Sequence, residues 1–394
     1  MTFVSLIITL AILCGQLIKI TLLPQGGLIV LDLTVIGLVI FGLIKVKFNL
    51  KKPPFFVKAA LLFILVCLIS ILVSPLSLNP NQYLISISYS LRLLFYIILG
   101  WLISEGIFPK FKDQIPSIIH YSGLSLAIAG ILQFIFIPDL RFLQEDLWDP
   151  HYFRTASTFL DPNFLGAFLV LSLLTIFNTK TISPKLKKIS LPLIFIALLT
   201  TFSRGSYLSF ILTFLSFSLF KRSIKLVIVT ILLFIILFTG FTVYQKAVAE
   251  PRGIDKAKSA ENRLGAWQQG LTLFQNNPVF GIGFNAYKFA LKQNNLADNQ
   301  FLQSRGATSN DSSLLHVAAN TGIIGLLVYL FFLVSLFLTG WKNPTNPCGL
   351  VLISGLIGLI AQSFFINNLF YPFIFLWIML IAAITTPVSK GQKR

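Results

Sequence analysis

Charge and cysteine are both scarce in this 394-residue chain, and each shortage removes a class of protein. Charged residues make up 11% against 56% hydrophobic, and mean hydropathy is +0.85. A soluble fold that apolar cannot cover itself with polar surface. Cys14, Cys67 and Cys348 each lie in an apolar run, with no pair at metal or redox spacing, so they read as packing residues. The start, MTFVSLIITLAILCG, lacks a basic n-region and reads as an anchor rather than a cleavable signal. The short alternating segments of an outer-membrane barrel are absent as well. What recurs instead, end to end, is long apolar runs, most near the ~20 residues that cross a ~30 Å hydrocarbon layer. Backbone groups in lipid must be satisfied within their own segment, so these runs are expected to be helices.

The expected spans are 3–19, 28–44, 57–73, 85–103, 117–137, 163–178, 189–203, 206–220, 226–243, 313–339, 348–364 and 371–387. This makes an all-α polytopic integral membrane protein with about twelve transmembrane helices. The alternate connections 45–58, 104–114, 179–188, 221–225, 340–347 and 388–394 hold eighteen of the 31 Lys and Arg but only two of the 13 acids, Glu105 and Asp113. That bias places them, and both termini, on the cytoplasmic side. The net charge of +18 is therefore a topology signal and not a nucleic-acid footprint. The chain divides into N-terminal transmembrane helices (1–243, about nine), a large helical outer loop (244–312) and C-terminal transmembrane helices (313–394, about three). About seventy residues exceed what a simple connection needs, so that loop should carry structure and function.

Lysine and arginine segregate on this topology. Sixteen of 22 Lys are cytoplasmic, whereas Arg92, Arg141, Arg154, Arg204, Arg252, Arg263 and Arg305, seven of nine Arg, lie outside or in the outer part of the membrane. Lysine suffices as a point charge for topology, but arginine grips phosphate with a planar fork and stays protonated. Ordinary pairing with the outer acids is the plainer alternative. Arg204, in LLTTFSRGSYLSF, sits in a Ser203-Arg204-Gly205 turn between two arms of about fifteen residues, each rising only ~22 Å. The turn should therefore lie below the outer surface, where an arginine is costly and functional by default, interface snorkelling being the alternative. Arg92 is also intramembrane and has a possible structural partner in Asp32.

Within the loop, residues 259–277 are expected to form an amphipathic helix with Leu264, Trp267, Leu271 and Phe274 in one stripe, suited to a membrane surface. Arg263 stands near its start, where backbone N–H groups also favour an anion. Gly281 and Gly283 then permit a tight turn before a short second helix. The chain re-enters at SNDSSLLHVAANTGIIGLLVYL. Asp311 at the mouth either acts as a general base or caps the helix, and His316 is either catalytic or a buried hydrogen-bonded residue. Asn163, in Asp161-Pro162-Asn163, either shapes the site or caps a span.

Four stretches in order, FRTASTFLDPNFLGAFL, LLTTFSRGSYLSF, NRLGAWQQGLTLFQNNPVFGIGFNAY and SNDSSLLHVAANTGIIG, resemble the O-antigen ligase and O-antigen polymerase family of bacterial polysaccharide assembly. The resemblance implies a GT-C-like, inverting, metal-independent glycosyltransferase without cofactor. Its implied donor is a glycan on undecaprenyl pyrophosphate at the outer face of the cytoplasmic membrane. An acceptor hydroxyl, on glycan, lipid or protein, attacks the anomeric carbon. Membrane lipid and other polysaccharide-assembly membrane proteins are its implied surroundings, with no nucleic acid. By position, Arg204 and Arg263 would hold the pyrophosphate, supported by Arg92, Arg154, Asn163, Ser203 and Gly205, with Asp311 as base and His316 as second candidate. Ligases commonly carry a His-Asn pair eleven residues before the Gly that corresponds to Gly322. Here that position is Asp311, which tilts the expectation toward a polymerase. The rival class is a secondary transporter or flippase, for which paired repeats and broken midplane helices are typical, and the sequence pattern clearly signals neither.

Overall fold

The computed structural model describes residues 2–23, 26–146, 148–252, 256–343 and 346–387. The basic tail 388–394, expected on the cytoplasmic side, lies outside the described residues. Helices occupy every expected apolar segment: α1 (Phe3–Cys14), α2 (Val30–Lys45), α3 (Phe55–Leu72), α4 (Pro80–Ser104), α5 (Pro109–Phe136), α6 (Pro162–Asn178), α7 (Pro184–Thr200), α8 (Arg204–Phe220) and α9 (Ile224–Tyr244). After the loop helices α10 (Lys256–Asn276), α11 (Tyr287–Gln293) and α12 (Asn299–Gln303) come α13 (Ser313–Trp341), α14 (Pro347–Gln362) and α15 (Pro372–Thr385). Proline opens α4, α5, α6, α7, α14 and α15, where its missing N–H costs nothing and its fixed φ suits the first turn. Helices α3, α4, α5, α9 and α13 are long and apolar enough to cross a membrane, and five others are apolar but shorter. The protein is an all-α membrane protein.

Two apolar helices show what the bundle does with its surface. Residues Pro372–Ala383 of α15 are all buried, because α15 runs through the centre among α4, α5, α13 and α14. By contrast α9 packs chiefly on α8 and leaves Ile224, Ile228, Leu232, Ile235 and Phe238 more than half exposed. An apolar face of that length is stable against hydrocarbon, not water.

The first expected span ends early. Helix α1 stops at Cys14 because Gly15 takes φ +56, where a Cβ would strike the backbone of Thr158. Gln16 N–H then donates to Thr158 O (2.8 Å), and the chain turns into a hairpin of β1 (Lys19–Leu23) and β2 (Gly26–Ile29). This hairpin is a departure from helical structure that the sequence pattern did not announce.

Helix α13 is broken at Gly322, whose φ 66 and ψ −166 lie in a region open essentially to glycine alone. The interrupted ladder is completed from the loop. Ile282 and Gly283 donate to the carbonyls of Ala319 and Asn320 (both 3.0 Å), and Ile323 N–H reaches Pro278 O (2.8 Å). The crossing is so close that a Cβ on Gly322 would collide with Val279 backbone, and one on Gly281 with Asn320 and Thr321. The motifs Asn277-Pro278-Val279-Phe280-Gly281 and Asn320-Thr321-Gly322 are thus two halves of one joint, which fixes the loop layer to the first turns of α13. Gly322→Ala combines a forbidden dihedral with a backbone clash and should cost about 3 kcal/mol or more. A lower melting temperature in detergent, or failure to accumulate, is the expected outcome; an unchanged melting temperature would sink the joint.

Candidate functional site

A cavity of roughly 1430 Å³ opens at the loop end of the bundle. Its wall draws on the starts of α6 and α8, the end of α9, the first half of α4, the β1–β2 hairpin, the 138–161 connection and the loop layer. Six of the nine arginines line it: Arg92, Arg141, Arg154, Arg204, Arg263 and Arg305. With Lys19 and Lys288 they face Asp149, Asp161, Glu261, Asp298 and Asp311, so cations outnumber acids on the wall.

The arginines are not equivalent. Arg92 forms an ion pair with buried Asp32 (2.8 Å) and donates to Gly27 O (2.7 Å), and Asp32 also accepts from Tyr96 OH and Ile29 N–H (both 3.0 Å). It ties α4 to α2 and the hairpin, the structural role open to it from sequence. Arg141 pairs with Asp139 (2.7 Å), and Arg305 stacks on Trp148 at 3.8 Å. Arg154 donates its Nε to Thr201 O (2.9 Å), the one hydrogen bond its guanidinium makes among the described residues. Arg204 and Arg263 make neither an ion pair nor a hydrogen bond among the described residues. Arg204 is exposed to the cavity at the first position of α8, 6.0 Å from the Phe241 ring. The charge of Arg263 acts on both Arg154 and Arg204. Guanidinium groups without hydrogen-bonded carboxylates, beside the positive end of a helix dipole, are the kind of arrangement that suits a multiply charged anion.

A hydrogen-bonded platform holds Arg204 in place. Ser203 caps α8 by accepting from Ser206 N–H (3.3 Å) and donates its hydroxyl to Asn163 Oδ1 (2.7 Å). Gln362 Nε2 donates to Asn163 O (3.2 Å) and Ser206 Oγ (3.3 Å), joining α6, α8 and α14. Asn163 is not the cap of α6; Asp161 is, accepting from Asn163 N–H (2.6 Å) and Phe164 N–H (3.3 Å). Gly205 stands off the cavity wall, with Gln362 Cγ 3.5 Å from where its Cβ would be, so nothing there demands glycine.

Asp311 faces this array from the loop layer. Ser312, not Asp311, caps α13, accepting from Leu315 N–H (3.4 Å), which leaves the Asp311 carboxyl free to line the cavity. Burial raises its pKa to about 6; Arg263 opposes the rise, while Asp149 and Asp161 add to it. Asp149 and Asp161 are themselves raised, again chiefly by burial. Three carboxyls from separate parts of the chain thus converge, and sequence reasoning had singled out only Asp311. Asp161 was visible beside Asn163, but nothing local marked Asp149 or its neighbour His151, whose pKa burial pushes well below the usual value.

His316 lines the same cavity with its ring between Tyr287 and Phe370. Asn310 N–H donates to its Nδ1 (3.3 Å), and Asn320 Nδ2 lies 3.1 Å from the same atom. An accepting Nδ1 puts the ring proton on Nε2, so this histidine is a donor in its resting form and not a proton acceptor. Asn310 also donates from Nδ2 to Ala266 O and to Tyr287 OH (2.9 Å), pinning the Asp311 turn against α10 and α11. Sequence reasoning missed Asn310, although it adjoins Asp311 in the SNDSS motif.

The geometry therefore brings two arginines and a carboxyl whose pKa burial raises to about 6 into one cavity. No curated protein matches the chain. Residues 189–330 match the family described as O-antigen ligase, a stretch that runs from α7 into α13 and holds Arg204, Arg263, Asp311 and His316, but not Arg92, Arg154 or Asn163. That segment, rather more than a third of the chain, is what the chain shares with the O-antigen ligase family.

Proposed function

We propose that this protein is an inverting, metal-independent glycosyltransferase with twelve membrane-crossing helices of the GT-C-like kind. It polymerises an undecaprenyl-pyrophosphate-linked oligosaccharide at the outer face of the cytoplasmic membrane. The observation that carries this reading is that Arg204 and Arg263, which form no hydrogen bond or ion pair among the described residues, share a cavity with the raised carboxyl of Asp311. Arg204 and Arg263 hold the pyrophosphate, with the free nitrogens of Arg154 in reach of the same anion. Asp311 accepts the proton of an acceptor hydroxyl as its oxygen bonds to the anomeric carbon. The bond from that carbon to the pyrophosphate oxygen breaks, and undecaprenyl pyrophosphate leaves as an anion neutralised by the arginines. The Nε2–H of His316 is available to position the acceptor sugar. Transfer to a lipid or protein acceptor uses the same donor chemistry, and the acid at position 311 is what favours polymerisation over ligation.

A carrier would need a path reaching both faces. Among the described residues the large cavity is lined from one end of the bundle only, which favours the enzyme over the flippase. The test is the surface-glycan size ladder of a deletion strain complemented with the wild-type chain. Single repeat units on the acceptor in the deletion are expected of a polymerase. Long chains stranded on the lipid carrier would reassign it as a ligase. An unchanged ladder, with no redundant enzyme, would end the glycosyltransferase reading.

A further inference from the structure

The helices that bring Asn163, Arg204 and Phe241 to the large cavity carry a second concavity at their other ends. It holds roughly 460 Å³ and is lined by Phe177, Lys180, Lys187, Phe217, Lys221 and Leu226 among others. Arg204 opens α8 and Lys221 follows its last residue, so the two cavities stand about 26 Å apart along that helix, close to a hydrocarbon thickness. Three lysines face this small space and no acid lines it. Neither ion pair formed among the described residues involves them. The floor is apolar: Phe217 is buried, and Lys221 Nζ lies 5.6 Å from its ring centroid. Lys187 Nζ donates to Thr179 O, which turns that ammonium toward the connection lining the pocket.

We propose that this pocket binds the phosphate headgroup of an anionic glycerophospholipid from the leaflet opposite the catalytic cavity. The surroundings favour a lipid over a soluble anion. Helix α9 leads away from the pocket with Ile224 73%, Ile228 52% and Leu232 55% exposed, and Phe177 on α6 is 42% exposed. Acyl chains lying along this face continue directly from a headgroup held by Lys180, Lys187 and Lys221. A point-charge ammonium suits a mobile phosphodiester, and basic pockets between membrane helices bind such headgroups. General positive charge at this end explains the presence of lysines but not their convergence on one acid-free concavity.

Native mass spectrometry of the full-length protein in detergent, titrated with phosphatidylglycerol or phosphatidylcholine, tests the site. Wild type is expected to prefer phosphatidylglycerol. Lys180→Gln should weaken that binding about fivefold, and Lys180→Gln/Lys187→Gln/Lys221→Gln about 100-fold, from about fivefold per lysine. A charge-matched variant at the same end, Lys51→Gln/Lys52→Gln/Lys110→Gln, should bind as wild type does. Equal loss in both triple variants, or no preference in wild type, overturns the pocket. Displacement of phosphatidylglycerol by inorganic phosphate alone overturns the lipid as occupant. Lys180 forms no ion pair among the described residues, so Lys180→Gln is expected to melt with wild type; normal glycan transfer would confirm an intact catalytic cavity.

Discussion

Arg204→Ala is expected to lower glycan transfer about 10²- to 10³-fold while leaving the folded protein intact. The size follows from what the guanidinium faces. Removing a donor aimed at developing charge forfeits electrostatic stabilisation that water cannot replace in a partly closed cavity. Stability should hardly change, because Arg204 has no hydrogen bond or ion pair among the described residues, and Ser203 continues to cap α8 without it. Relief of repulsion from Arg263 works in the same direction. Arg204→Lys keeps the charge but loses the bidentate fork, so partial rescue distinguishes charge from geometry. Arg263→Ala should resemble Arg204→Ala, and the double variant should lose less than the product of the two, since both act on one anion. Transfer assayed with purified protein in vesicles, beside a melting curve, decides it. Near-normal activity in Arg204→Ala, with wild-type melting, would remove the pyrophosphate from this site.

Why Arg204 stood out in the sequence and Asp149 did not has a physical basis. An arginine between two apolar arms violates a strong local rule, and so do long apolar runs, which is why the helices of the bundle were legible. Their ends were less so, because ends are set by neighbours. Helix α1 falls short of residue 19 since Gly15 must clear the backbone of Thr158, more than 140 residues away. In α10 the periodicity gave Leu264, Trp267, Leu271 and Phe274 as the apolar stripe, yet the face packed against protein holds Gly270 and buried Leu273. Gly270 lets Asn310 and Leu315 approach its backbone, while Leu264 and Leu271 stay 57% and 46% exposed. Helical spacing identifies a stripe of apolar side chains but does not say which surface covers it. The candidate site was legible wherever a single residue broke a rule. The convergence of Asp149, Asp161 and Asp311 breaks none locally and exists only once two long connections fold over the bundle.

Asp311→Asn is the second large effect: about 10²- to 10⁴-fold loss of transfer if its carboxylate is the proton acceptor. The pH dependence sharpens the test. With a pKa of about 6, wild-type kcat/KM should be flat above that pH and fall roughly tenfold per unit below it. A bound pyrophosphate adds negative charge nearby, so the limb in kcat should lie higher than the limb in kcat/KM. The residual activity of Asp311→Asn should lack the limb. Stability should move the other way. A carboxyl whose folded pKa is raised binds its proton more tightly in the folded state than in the unfolded one. Stability then falls as pH rises from about 4 to about 6, and the full cost, on the order of 2–3 kcal/mol, is present at neutral pH. Asparagine has no such cost, so Asp311→Asn is expected to melt at or above wild type at pH 7 and to lose that advantage toward pH 4. Lost activity with retained or raised stability marks a group held against its own preference for the sake of chemistry. A variant that melts lower and transfers normally would make Asp311 a structural residue and leave proton abstraction to another carboxyl of the cluster.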